Sequence, residues 1–138
     1  MQSGSIGVIK ELYMNFPSNL KYAKSHEWVK DLGNGLFEIG ISDYAQKELG
    51  DIVYVNLPQE GDDLEAGVSF ADVESVKAVS DILSPVNGKV KEVNEKITSA
   101  PESINKAPYE AWLIKAEGTV EKGLLSAEEY KKEVGSRE

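Results

Sequence analysis

The chain has 138 residues, of which 41% are hydrophobic and 28% charged, a balance that suits one domain with a sizeable core. Fifteen Lys and Arg against 24 Asp and Glu leave a net charge of −9, a field that repels nucleic-acid phosphates and anionic lipid, so neither nucleic acid nor a membrane is an expected partner. The absence of cysteine excludes disulfides, thiolate nucleophiles and thiolate-zinc sites, and a lone histidine, His26, excludes a two-histidine metal centre.

Residues 1–13 precede a second methionine, Met14, and are expected to be a leader or added segment, with 14–138 forming a single domain. Glu27 to Lys30 around Trp28, a turn at Gly33, Asn34 and Gly35, and the alternation of Phe37, Ile39 and Ile41 predict a hairpin. Ser42 then caps a helix of about two turns that ends at Gly50. Ile52 to Leu57 is an alternating strand stopped by Pro58, and Gly61 marks the next turn. Val68 to Val73 and Ile82 to Val86 predict further strands, and Gly88 is expected to open another at Lys89 to Val93. Beyond Pro101 a polar loop leads to a strand at Trp112 to Lys115, and Leu124 to Val134 has helical spacing with Ser126 placed to cap it. The fold class expected from these short strands is mainly β, a small barrel or sandwich with a few short helices and a helix at the C-terminal end.

The most unusual stretch is Glu74-Ser75-Val76-Lys77-Ala78, which puts a lysine in a short link between two strands with no Gly, Asn or Pro to make the turn. Such a link projects its ammonium outward, where a modifying enzyme reaches it. A solvated turn lysine is the ordinary alternative. His26 reads as a hydrogen-bonded surface imidazole, Trp28 and Trp112 as core aromatics, and Glu48 as a charge on a helix face.

The sequence resembles the H-protein family of the glycine cleavage system, the lipoate carriers, from about Leu20 to Tyr130. The resemblance rests on Ser25-His26-Glu27-Trp28, Gly40-Ile41-Ser42-Asp43-Tyr44-Ala45-Gln46, Val55-Asn56-Leu57-Pro58, the Lys77 stretch and Ser84-Pro85-Val86-Asn87-Gly88. It implies a barrel-sandwich hybrid of the hammerhead kind. It also implies lipoate in an amide on Lys77, recognition by a lipoate ligase or a lipoyl/octanoyl transferase through Glu74 and Gly61, and an arm-binding cleft at Ser25, Glu27 and Asp81. The implied role is that of a carrier with no catalysis of its own. It shuttles an aminomethyl group from glycine decarboxylase (P protein) to the aminomethyltransferase (T protein), and electrons to dihydrolipoyl dehydrogenase (L protein).

A lipoyl relay to 2-oxoacid dehydrogenases and an unmodified interaction module are the competing readings. Acyltransferase lipoyl domains fit less well because Val76 stands where they carry Asp before the lysine, and biotin carriers because no methionine flanks Lys77. A monomer is expected, in the cytoplasm of a bacterium or the mitochondrial matrix of a eukaryote.

Overall fold

The structure is a computed structural model and describes residues 14–135. The segment read as a leader, 1–13, lies outside the described residues. Two antiparallel sheets dominate the fold. The first is built from β1 (Lys21–Tyr22), β2 (Glu27–Gly33), β3 (Leu36–Ile41), β5 (Asp63–Leu64), β8 (Val86–Val93) and β9 (Ile114–Val120), in the order β1-β2-β3-β9-β8-β5. The second holds β4 (Ile52–Asn56), β6 (Ser69–Ser75) and β7 (Val79–Leu83), in the order β4-β6-β7. Among the described residues the sheets stay open, so the sandwich half of the expected hybrid is present without a closed barrel.

Among the described residues there are also four helices: α1 (Asp43–Leu49), α2 (Lys96–Ser99), α3 (Ser103–Lys106) and α4 (Ala127–Gly135). The hairpin of β2 and β3 and the capped α1 form where the sequence places them. Ser42 Oγ accepts from the Ala45 N–H at 3.1 Å, satisfying one of the free donors at the start of α1. Ser126 and Glu129 form a reciprocal capping box, Ser126 N–H to Glu129 Oε1 at 2.9 Å and Glu129 N–H to Ser126 Oγ at 3.2 Å. That box starts α4 at Ala127, so Leu124 and Leu125 precede the helix instead of opening it.

Four expectations need correction. The strand expected over Ile82 to Val86 is two strands, because Ser84 folds on itself: its Oγ accepts from the Val86 N–H at 3.0 Å and donates to the Val86 carbonyl at 2.7 Å, breaking the ladder before Pro85. Gly88 lies inside β8, not at its start, and faces Gly118 of β9. The two strands approach so closely there that a Cβ on either glycine would sit within the other strand's backbone, at the Glu117 or the Asn87 carbonyl. The polar loop after Pro101 contains a turn of helix, α3, whose Ile104 is fully buried. The strand expected at Trp112 to Lys115 starts at Ile114 and runs on to Val120.

Between the sheets lies an aliphatic core that includes Ile39, Val73, Val86, Leu113 and Ile114. A second, aromatic cluster fastens the ends of the described chain to the first sheet. Tyr22 and Tyr130 stack at 4.7 Å with their rings 5° apart, and Phe16 meets Tyr130 edge-on at 5.2 Å. The backbone of Tyr22 pairs with Leu125 through bonds of 2.8 and 2.7 Å, which brings α4 against β1. Trp28 is fully buried in this cluster and donates its indole N–H to the Pro108 carbonyl at 3.1 Å. Trp112, read as a core residue, is only half-buried, and Lys115 Nζ lies 4.9 Å above its ring.

Gly88→Ala is expected to lower stability by about 1–3 kcal/mol or more, because the neighbouring carbonyl cannot retreat without opening the β8–β9 ladder. Urea unfolding checks this, and a loss below about 0.5 kcal/mol, the range of a neutral surface change, would contradict it.

Candidate functional site

Lys77 stands exposed at the tip of the β6–β7 hairpin. Ser75 makes the turn that the sequence appeared to lack. Its backbone N–H donates to the Ala78 carbonyl at 2.8 Å, while its Oγ accepts from the N–H groups of Lys77 at 3.2 Å and Ala78 at 3.1 Å. A hydroxyl bonded to nearby backbone holds a tight turn much as Asn or Asp does. The tip is also fixed from below, where the Val76 N–H donates to the Asp51 carbonyl at 3.0 Å.

Gly50 supports the lysine itself. It ends α1 with φ 80, a left-handed conformation suited to glycine, and a Cβ placed on it would lie 3.7 Å from Lys77 Cε. Glu74, the expected ligase contact, is exposed on the same hairpin, with Tyr54 of β4 on one side and Val79 of β7 on the other. Gly61, its expected companion, lies in the β4–β5 connection with φ 90, and its N–H donates to the Val90 carbonyl of β8 at 2.8 Å. Its nearest bonded neighbours therefore belong to the other sheet.

The three residues assigned to an arm-binding cleft come together. Ser25, Glu27, Glu48, Leu49, Asp81 and Ile82 line a cleft of about 140 Å³ between the start of β2, the end of α1 and β7. Ile41 and Ala45 extend its apolar wall. No Lys or Arg is among its lining residues. His26 borders it half-buried rather than on the surface, with Nδ1 2.8 Å from the Tyr130 hydroxyl.

Glu27 is the buried member of this acidic group. Ser25 Oγ donates to its Oε1, and the Leu83 N–H donates to its Oε2 at 3.0 Å. Burial is the larger influence and raises its pKa to about 7 against the pull of those two donors. Asp81 is exposed on β7 opposite Asp72 of β6. Glu48, read from sequence as a charge on a helix face, is exposed and also lines the cleft. A usable signal was its place in the last turn of α1, where the negative end of the helix disfavours a carboxylate.

A family model described as "Glycine cleavage H-protein" matches residues 20–137. The chain belongs to the glycine cleavage H-protein family. A glycine cleavage system H protein of Lachnoclostridium phytofermentans is 54% identical over 118 residues, covering 85% of this chain and 93% of the relative. One from Staphylococcus haemolyticus is 52% identical over 126 residues, covering 88% and 99%. The crystal structure of a glycine cleavage system H protein from Mycobacterium marinum superposes with a TM-score of 0.81 at 37% identity, covering 86% of this chain and 98% of that one.

A lipoyl group, the prosthetic group that this H-protein family carries, fits the residues present. The aliphatic wall of Ile41, Ala45, Leu49 and Ile82 suits its methylenes, and the carboxylates suit a cationic load at its end.

The raised pKa of Glu27 gives a stability prediction with a definite sign. Its folded pKa of about 7 lies above the unfolded value of 4.5, so its contribution is fully present below pH 4.5 and is lost as pH rises through 7. The difference is worth about 3 kcal/mol. Asp63 and Glu129, both shifted downward, act below that window and with the opposite sign. Urea midpoints taken from pH 4.5 to 8 should fall for the wild type and stay flatter for Glu27→Gln; parallel curves would contradict the assignment.

Proposed function

We propose that this chain is the lipoyl carrier of a glycine cleavage system, with lipoate joined by an amide to Lys77 Nζ. The observation that carries the reading is the placing of Lys77 at an exposed, serine-braced tip that adjoins the end of α1, beside a cleft whose charged residues are carboxylates. The bound lipoyl group supplies a dithiolane, able to take up a one-carbon amine and to carry two electrons, in a chain without cysteine. The chain supplies no catalytic group. Its clients are glycine decarboxylase, the aminomethyltransferase and dihydrolipoyl dehydrogenase, with a lipoate ligase or a lipoyl/octanoyl transferase to attach the arm. The bacterial relatives favour the cytoplasm as its compartment.

Holding and shielding are the tasks of this chain's own residues. An arm of roughly 12 to 15 Å, about ten zigzag bonds, has enough length to fold back from the tip toward the cleft. A primary amine at its end is a cation near neutral pH. Glu27 and Asp81 offset its lost hydration with charge-assisted hydrogen bonds, and the apolar wall keeps water from it. Glu27 is poised for this. Burial raises its pKa to about 7, and a cation held beside it would favour its ionised form. Ser25 keeps the carboxylate oriented throughout.

Lys77→Arg should fold with unchanged thermal midpoint yet accept no lipoate, since arginine keeps the charge but has no acylable amine. Peptide mass spectrometry after incubation with a lipoate ligase reads the outcome, and lipoate on any other lysine would end the proposal. Glu74→Ala, an exposed change, should slow attachment while altering stability by no more than about 0.5 kcal/mol.

The protective role has its own test. Glu27→Gln with Asp81→Asn should leave attachment and reduction of the arm intact and shorten the life of the amine-loaded protein, seen as faster formaldehyde release without the folate enzyme. Equal decay of wild type and double variant would return both residues to a structural role.

A further inference from the structure

The four most exposed large hydrophobic residues of the described chain are Val76 at 69%, Val79 at 67%, Val53 at 54% and Tyr54 at 53%. They are not scattered. Glu74 is the direct cross-strand partner of both Tyr54 and Val79, so Tyr54, Glu74 and Val79 form one rung across the outer face of the second sheet. Val76 lies beside Lys77 at the end of the same hairpin. Val53 joins them because the β4–β6 register slips between Ile52 and Tyr54, an irregularity that leaves two successive apolar residues exposed. No packing among the described residues needs that arrangement. Exposed apolar side chains gathered around one carboxylate suit a contact with another molecule.

Charge narrows the kind of contact. Glu74 is exposed in the middle of the rung and Asp51 near the tip, and the chain as a whole carries −9. The complementary surface is therefore a cation that meets Glu74, flanked by apolar side chains.

Reach narrows it further. An enzyme acting on the sulfurs at the far end of the arm works roughly 12 to 15 Å from the Lys77 backbone and has no need of the tip. An enzyme that acylates Lys77 must instead bring an activated carbonyl to Nζ, within roughly 6 Å of the Lys77 Cα. In that step the deprotonated amine forms the new N–C bond. The bond from the carbonyl carbon to its leaving group, a nucleotide phosphate or a thiolate, breaks with its electron pair, and the second amine proton is released. Val76 adjoins Lys77 in the chain and Val79 follows two residues later, so an enzyme so close approaches both, and Tyr54 lies on the same rung as Val79.

We propose that Tyr54, Val76 and Val79, with Val53 at the edge, form the docking surface for the enzyme that acylates Lys77, and that this surface is dispensable once the arm is attached. The proposal rests on the reading of Lys77 as the attachment site and extends recognition from the single carboxylate Glu74 to an apolar rung around it. Specificity at the tip then has two parts. Glu74 sets the charge, and the flanking side chains supply the buried area.

The test uses the full chain, a purified bacterial lipoate ligase, lipoate and ATP. Tyr54→Ser combined with Val79→Ser should raise the KM for the carrier about tenfold or more with kcat within about twofold, at an unchanged thermal midpoint. After exhaustive loading, the variant should be reduced by dihydrolipoyl dehydrogenase and NADH at the wild-type rate. Lys77→Arg supplies a second measurement, as a non-acylable competitor of wild-type loading whose inhibition should be lost when the two serines are added. An unchanged KM, or unweakened inhibition by the triple variant, overturns the docking surface. Equal impairment of reduction by the dehydrogenase overturns its restriction to attachment. Failure of the wild type to accept lipoate at Lys77 is a different result and overturns the proposed function along with it.

Discussion

One carboxyl group stands where the two sheets meet. Glu27 begins β2 in the six-stranded sheet, and its Oε2 takes the Leu83 N–H at the end of β7 in the three-stranded sheet. That donor sits on the free side of an edge strand, where the ladder offers it no partner. Pairing it with a buried side chain ties the layers together at that point. The space left beside that point is the cleft. A hydrophobic residue in the same place would pack at least as well but would strand the Leu83 N–H and take the buried carboxylate out of the cleft.

The walls of the cleft depend on this junction in different ways. α1 is set by Ser42, whose Oγ both caps the helix and lies 2.7 Å from the Tyr130 hydroxyl, so the aromatic cluster that seats α4 also holds the helix forming one wall. From the other end of α1, Asn105 reaches across from α3, donating to Gln46 Oε1 and to the Gly50 carbonyl, both at 2.9 Å. The same Asn105 accepts the Ile52 N–H at 2.9 Å, tying the start of β4 to that helix end. Positions far apart in the chain thus converge on Gly50, the residue over which the lysine lies.

Much of this was legible in the sequence where a single residue type determines a local outcome. Ser42 and Gly50 bracket α1, the alternation of Phe37, Ile39 and Ile41 gives β3, and Ser126 with Glu129 starts α4, because caps and period-two burial are decided within a few residues. The family motifs pointed to Ser25, Glu27 and Asp81 together, and those residues do share one cleft. What escaped depends on distant partners. β1 and β5 are two residues each and exist only because β2 and β8 are there to pair with them. Gly88 looked like a turn because its true constraint, Gly118, lies thirty positions away. Glu48 is the exposed helix-face charge it looked like, but helical spacing alone does not show that its flank of α1 borders the cleft.

The bracing of the tip has a consequence for association. Ser75 and the Asp51 carbonyl hold the backbone around Lys77 before any partner arrives. Docking therefore freezes the backbone of few residues, each of which would otherwise subtract about 1–2 kcal/mol from the binding free energy. At the tip, rotational freedom is left to the single bonds of the Lys77 side chain. With the proposed arm on Lys77 the tip would act as a stiff post with one loose tether, and every client would meet the same entropic penalty, set by the tether's rotors and not by the protein that bears it.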